Sequence, residues 1–141
     1  GFRPPVLLSS LGLVYLAHVS DAERETILRN LATSDRPDAA LARNRRAVNA
    51  MLAEVKKRGY GFREGGISPK TGSIAVPVMW RGRPLASINI HYILSAMPMA
   101  QVVERYLPLM RGAAAKIEMA LAQQGGPEGS PDVKDSKPHG K

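Results

Sequence analysis

The first part of the chain carries apolar residues at helical spacing. Ser9 or Ser10 can cap a first helix, whose apolar run Leu11–Ala17 stops near Ser20. The segment Ser20–Glu23 matches a capping box, which predicts the start of a second helix. The first helix is apolar on most sides and is expected to be buried, whereas the second has an apolar stripe on one face.

Two longer helices are predicted further along the chain. One covers 38–58 and ends at Gly59. The charged residues of this helix lie opposite its apolar stripe, where they form either a solvated face or a DNA contact. The other helix covers 99–123, and Pro108 inside it predicts a kink or a break into two helices.

Between these helices the spacing of the apolar residues changes to two. A strand is expected after Tyr60, and the clearest strand is Ser73–Trp80. A return strand from 84 to 92 completes a predicted β-hairpin. A three-residue loop at 81–83 pairs apolar face with apolar face, whereas a two-residue Arg81–Gly82 turn would mix the faces, so we expect the longer loop.

The two faces of this predicted hairpin differ in chemistry. Large apolar side chains, such as Ile74 and Ile88, occupy one face and are expected to join the core. The other face carries small and polar side chains, including Ser73, Asn89 and His91. It either meets solvent or lines a cup for a small ligand.

Composition limits the class of protein. Hydrophobic residues make up 44% and charged residues 23% of 141 residues, as in folded single domains. There is no cysteine, which excludes disulfides and thiolate sites, and no apolar run approaches the roughly 18 residues of a membrane span. We expect a cytoplasmic protein with no membrane partner, with one domain over 1–123 and a disordered tail over 124–141, where Gly, Pro, Ser and charge dominate.

The net charge of +8 raises the question of DNA binding. The excess is spread along the chain, and no stretch forms a basic arm. The segment 10–33 is superficially similar to a helix-turn-helix, but its second helix opens with Asp21, Glu23 and Glu25, which would repel phosphates. We therefore expect any DNA reader to lie outside this sequence.

Residues for catalysis or metal binding do not fall into a recognised pattern. The histidines His18, His91 and His139 belong to different elements, and there is no Gly-rich phosphate loop. Ser87 and His91 could join some acid in a triad, but neighbours in one strand lack an elbow and an oxyanion hole. We expect no metal, no cofactor and no enzyme activity, with a small hydrolase as a minor alternative.

Several segments, taken in order, resemble one known family. Their order and spacing are similar to the effector domains of IclR-family transcription regulators, over about residues 3–123. Two more segments, Ser95–Pro98 and Arg105–Pro108, resemble more narrowly the members that regulate the breakdown of hydroxyphenylpropionate and related aromatic acids. The segments that carry the family resemblance are Pro5–Gly12 leading into Leu13–Ala17, Glu23–Leu28, Arg58–Gly61, Gly72–Val78 and Leu85–Ile90.

The resemblance implies an α+β, GAF-like fold in which helices flank a curved antiparallel sheet. It also implies a winged helix-turn-helix domain and two or three further strands ahead of Arg3, which this sequence does not contain. Because position 1 is a glycine rather than a methionine, we expect a piece of a larger protein. The resemblance implies that this protein is a regulator that works as a homodimer or tetramer. Absent strands would leave a sheet edge unpaired, so we expect the chain to self-associate.

The resemblance further implies a site for a small organic acid, expected to be aromatic. Ser73, Asn89 and His91 lie on the small, polar hairpin face described above. The family commonly has Lys or Arg where this sequence has Leu13, which removes one cation from the expected site. The alternative function is a structural or dimerisation module without a ligand site. Carried over residue by residue, the implied ligand contacts are Ser9, Ser10, Leu11, Gly12, Glu64, Ser73, Asn89 and His91.

Gly12 supports the start of the first helix as the place for the acid group. The first amides of a helix lack internal partners, and the helix dipole places partial positive charge there, so this end attracts anions. Glycine inside a helix costs about 1 kcal/mol relative to alanine. The missing side chain of Gly12 is therefore expected to permit close approach, either of a ligand or of another part of the protein.

Overall fold

The computed structural model describes residues 5–66 and 68–125. It contains helices and one three-stranded antiparallel sheet of strand order β1-β2-β3, which confirms the predicted α+β class. All of the predicted disordered tail beyond position 125 lies outside the described residues. In chain order the elements are a 3-10 turn Val6–Leu8, α1 Ser10–His18, α2 Asp21–Ala32, α3 Ala39–Arg43, α4 Arg45–Arg58, β1 Gly61–Glu64, β2 Thr71–Trp80, β3 Arg83–Ile93 and α5 Met99–Gln123.

The predicted helix starts are confirmed for α1 and α2. The Ser9 hydroxyl accepts a hydrogen bond from the amide of Gly12 at 3.0 Å, and the Ser20 hydroxyl accepts one from the amide of Glu23 at 3.2 Å. Each bond satisfies one of the amides that a helix leaves without an internal partner. These two caps therefore set where the helices begin.

The single helix predicted over 38–58 is wrong, because the structure divides it at Asn44 into α3 and α4. Asn44 has φ −90° and ψ 79°, outside the helical region, and its side-chain oxygen accepts the amide of Ala47 at 3.2 Å. Such a local bond competes with a continuous helix. The apolar pattern of the sequence does not reveal this break, because apolar residues continue across it and Ala42 and Val48 are buried on either side.

The last helix, α5, begins and ends where the sequence predicts, and it continues through Pro108. The alternative of two separate helices is therefore wrong. Val102 lies before the proline and Met110 and Ala114 after it, and all three pack in one apolar cluster with the sheet. Packing on both sides holds the helix together despite the amide that proline lacks.

The β2–β3 hairpin corrects the predicted loop. Trp80 pairs with Arg83, so the turn has only two residues, Arg81 and Gly82, with φ of 49° and 75°. This is the geometry of a type I′ turn, which matches the twist of the strands. A β-bulge then adds Leu85 to β3, because Met79 pairs with Pro84 and Val78 with Ala86. The bulge restores the apolar pairing that the prediction had assigned to a longer loop.

Helices cover both faces of the sheet. One face carries Ile74, Val76 and Val78, which pack with α5. On the other face Ala75 belongs to a second cluster, which includes residues of α1, α2 and α4 such as Val14. α1 therefore covers Ser73 and Ala75 in the β2 part of the small, polar face, whereas Asn89 and His91 in the β3 part are exposed.

Gly61 determines how closely α1 approaches the sheet. A β-carbon at this position would lie 2.6 Å from the carbonyl oxygen of Ser10 and 2.8 Å from the Cγ2 of Val14. The first of these atoms belongs to the helix backbone and cannot rotate away. In the described part of the chain, no helix is long and apolar enough to cross a membrane.

We expect Gly61→Ala to lower the free energy of unfolding by about 1–3 kcal/mol, the usual cost of overpacking, because the methyl group pushes α1 off the sheet. Gly112→Ala is the matched control. Gly112 is inside α5 with open space around its β position, so alanine should stabilise the helix by up to about 1 kcal/mol. Urea unfolding measures both, and equal effects of the two substitutions would contradict this account.

Candidate functional site

The start of α1 is held by three contacts from different parts of the chain. The hydroxyls of Ser10 and Ser73 lie 2.7 Å apart, and the two residues are 2% and 1% exposed. The amide of Leu7, just before α1, donates to Asp38 Oδ2 at 2.9 Å in a buried bond. A β-carbon on Gly12 would lie 2.1 Å from the carbonyl oxygen of Val6. The missing side chain of Gly12 is thus explained by packing against the chain's own backbone, rather than by ligand approach.

The amides of the first turn differ in what they bind. Gly12 donates to the Ser9 hydroxyl, whereas the amides of Ser10 and Leu11 donate to no group that the structure describes. Two donors therefore remain at the positive end of the helix dipole. Ser10 is 2% exposed and Leu11 is 39% exposed, so only Leu11 can be reached by an acceptor from outside the described residues.

Asn89 and His91 lie next to this helix start on the same sheet face. Ala75 pairs with Asn89 and Ser73 with His91, and directly opposed residues share a face. The side-chain nitrogen of Asn89 lies 2.8 Å from His91 Nε2, so Asn89 donates to the imidazole. Both residues are exposed. They form a polar pair beside α1 that a ligand can reach.

Glu64 lies on the opposite face of the sheet. Arg63 pairs with Ser73, whereas Glu64 pairs with Gly72, and alternate residues of a strand point to opposite faces. On that face the hydroxyl of Tyr92 donates to the sulfur of Met99, and burial, followed by the charge of Glu64, raises the pKa of Tyr92. The structure therefore does not bring Glu64 together with Ser73, Asn89 and His91.

A groove of about 350 Å³ runs between the start of α1 and β3, and we call it the α1 groove. The sequence-predicted residues Ser9, Leu11 and Gly12 line it, whereas Ser10 and Ser73 are buried beside it. Tyr15 also lines the groove, although it was not among the predicted site residues. Its position could have been predicted, because it lies four residues after Leu11 on the same side of α1. The full lining is Val6, Ser9, Leu11, Gly12, Tyr15, Ala86 and Ser87.

Tyr15 also belongs to a chain of polar contacts that links α1, α2 and β3. Its hydroxyl donates to Glu23 Oε1 at 2.6 Å, and Glu23 Oε2 lies 3.3 Å from the guanidinium of Arg83. The hydrogen bond to Glu23, burial and the charge of Glu23 raise the pKa of Tyr15, while the charge of Arg83 lowers it. The carboxylate of Glu23 thus connects Tyr15, in the wall of the α1 groove, to Arg83 of the hairpin.

Among the described residues, no three His, Asp or Glu side chains come together to hold a metal ion. The chemistry that the site offers is recognition. It combines apolar walls, the unpaired amide of Leu11 and a nearby Asn–His pair. This is the pattern of a small-molecule binding site, in which a few polar groups orient a ligand in an apolar groove.

No family model matches this sequence. Among solved structures, the chain is similar to a transcriptional regulator from Rhodococcus sp. RHA1, with 25% identity and a TM-score of 0.72 over 87% of this chain and 50% of that one. An IclR homolog from Microbacterium hydrocarbonoxydans, solved in complex with 4-hydroxybenzoate, has 28% identity and a TM-score of 0.65 over 86% and 48%.

The C-terminal domain of the Escherichia coli transcriptional regulator KdgR has 25% identity and a TM-score of 0.67, over 84% of this chain and 72% of that domain. The chain spans about half the length of the first two structures. These similar proteins are transcriptional regulators rather than enzymes. The fold is that of the C-terminal domains of IclR-family regulators, which confirms the resemblance found in the sequence.

The Ser10–Ser73 pair predicts a coupled loss of stability. Either Ser→Ala change leaves one buried hydroxyl without its partner, and we expect a cost of about 1–3 kcal/mol. The double variant should cost at least about 0.5 kcal/mol less than the sum, because it leaves no orphaned hydroxyl. Equilibrium unfolding of the four proteins measures this coupling, with the exposed Ser95→Ala as control. Strictly additive costs would show that the pair does not hold α1 to the sheet.

The polar contacts of Tyr15 with Glu23, and of Glu23 with Arg83, predict how the pKa of Tyr15 responds to substitutions. The fold favours its neutral phenol, so this contribution to stability is present below the ordinary tyrosine pKa of about 10 and is lost as the pH rises through the raised value. Glu23→Gln should lower the pKa of Tyr15, and Arg83→Gln should raise it, since the two charges act in opposite directions. NMR of ¹³C-labelled tyrosine measures both. Shifts of the same sign would refute this arrangement of charges.

Proposed function

We propose that this chain is the effector-sensing part of a bacterial IclR-type transcription regulator and that it binds a small aromatic acid in the α1 groove. The observation that carries the proposal is the meeting of an apolar groove with the unpaired first-turn amide of Leu11. The Microbacterium homolog, solved with 4-hydroxybenzoate, supports an aromatic acid as the ligand class. The volume of about 350 Å³ lies at the lower end of roughly 300–1,000 Å³ for ligand sites, which suits a small molecule.

In this proposal the carboxylate of the ligand lies over the amide of Leu11 at the start of α1. The helix dipole and this backbone donor would stabilise its charge, and the net charge of +8 favours its approach. The aromatic ring would contact the apolar side chains of Val6, Leu11 and Tyr15. A mainly apolar wall suits a ring better than a sugar or another strongly hydrated ligand.

Of the remaining residues implied by the family, Asn89 and His91 would receive a polar substituent on the ring. Their exposure beside α1 supports this role. Four others, Ser9, Ser10, Gly12 and Ser73, would act by holding the helix start in place. Glu64 lies on the other sheet face, so the proposed site does not include a direct contact from it.

Ligand binding would act on transcription by a shift between conformations of the whole regulator. DNA would be bound by a winged-helix domain outside this sequence, in a cytoplasmic homodimer or tetramer without a membrane partner. The outer edge of β3 has no neighbouring strand among the described residues, which supports self-association or pairing with strands outside the sequence. We further propose that residues 1–123 form one sensing domain, that the tail 124–141 follows it as a separate segment, and that the domain has no catalytic activity and no cofactor.

A thermal-shift screen with aromatic and short aliphatic acids tests the proposed class of ligand. A ligand present at 100 times its dissociation constant should stabilise the fold by about 2.7 kcal/mol. We expect aromatic acids such as 4-hydroxybenzoate to raise the melting temperature and their neutral alcohols to have less effect. If no acid raises it, the chain is a structural or dimerisation module, and the proposal is wrong.

Ser87→Leu tests the proposed place of binding. Ser87 lines the α1 groove, and leucine would fill it, so the acid identified by the screen should bind at least tenfold more weakly, or by about 1.4 kcal/mol. Ser95→Leu is the control, because Ser95 is exposed outside the groove. Isothermal titration calorimetry compares the two variants. Equal affinities would place the ligand elsewhere.

A further inference from the structure

A second cavity, of about 450 Å³, lies at the turn end of the β2–β3 hairpin, and we call it the hairpin cavity. Tyr15 and Trp80 contribute aromatic rings to its lining, and Arg81 and Arg83 contribute guanidinium groups. We propose that this cavity is a separate binding site for a small aromatic carboxylate. The inference goes beyond the proposed function, because the α1 groove shares only Tyr15 of this described lining.

The charges of the cavity favour an anion. Arg81 forms no ion pair with any described residue, and Arg83 pairs only with Glu23, at 3.3 Å. That carboxylate already accepts the hydroxyl of Tyr15 through its other oxygen. The lining therefore has two guanidinium groups, those of Arg81 and Arg83, near a single carboxylate, that of Glu23, which also binds Tyr15. A guanidinium group offers two parallel N–H donors, which fit the two oxygens of a carboxylate.

The aromatic side chains favour a planar ligand. The guanidinium carbon of Arg81 lies 5.1 Å from the centre of the Trp80 ring, within the range of a cation–π contact. Tyr15 is 37% exposed, and Leu85, the extra residue of the bulge, is 46% exposed. Both line the same cavity. An aromatic ring can cover these apolar surfaces while its carboxylate meets the arginines.

The backbone at Arg81 is unusual for its residue type. Its φ of 49° lies in the left-handed region, where a two-residue hairpin turn favours Asn or Gly. Arginine there weakens the turn, so its side chain is not explained by turn geometry. Arg81→Asn removes the charge and restores the favoured Asn–Gly sequence. A loss of binding in this variant therefore cannot result from a weaker fold.

Trp80 is the only tryptophan of the chain, so its fluorescence reports on the hairpin cavity directly. The test titrates the full 141-residue chain with phenylacetate, and with phenethyl alcohol as the neutral analogue. We expect a saturable change with phenylacetate and weaker binding of the alcohol. In Arg81→Asn the affinity for phenylacetate should fall at least about fivefold, or about 1 kcal/mol.

Two further variants separate this site from other effects. Arg46→Asn removes an exposed positive charge on α4 and should leave the titration unchanged. Ser87→Leu fills the α1 groove and should also leave the Trp80 response intact, so a failure of the groove proposal does not affect this test. The proposal is overturned if phenylacetate gives no saturable response, if Arg81→Asn binds as tightly as the parent chain, or if Ser87→Leu abolishes the response.

Discussion

The close packing of α1 on the sheet is the contact on which the rest of the structure depends. Gly61 lets the helix backbone approach β1, and the buried hydroxyls of Ser10 and Ser73 attach the first turn to β2. Gly12 lets the preceding turn pack against the same helix. Because interiors are packed to high density, a shift of α1 by a methyl group would move every wall that it provides. Both cavities contain Tyr15 of this helix, so both owe their shape to that packing.

Local signals allowed much of the fold to be predicted. The caps at Ser9 and Ser20 act over three residues, so they can be found in the sequence, and the period of two identifies the hairpin. The error in the hairpin loop arose because two local effects compensate each other. The Arg81–Gly82 turn shortens the loop by one residue and the bulge at Leu85 restores the register, so the apolar pairing alone cannot tell this pair of features from a three-residue loop.

The candidate site could be predicted only in part, because a binding site depends on tertiary contacts. Ser9, Leu11 and Gly12 line the α1 groove, because they form the cap and the first turn of α1. Sequence alone could not show that Ser10 and Ser73 are buried against each other, since 63 residues separate them. Glu64 follows directly after Arg63, and this single step along the strand moves its side chain to the other face of the sheet.

Glu23 gives the two cavities a common electrostatic element. One of its oxygens accepts the hydroxyl of Tyr15 and the other meets Arg83, so the carboxylate stabilises a wall of the α1 groove and a cation of the hairpin cavity together. An anion that competes for Arg83 would leave Glu23 with less compensating charge and would strengthen its hold on the Tyr15 proton. The two cavities therefore adjoin one hydrogen bond, between Tyr15 and Glu23, at the wall that α1 gives to both.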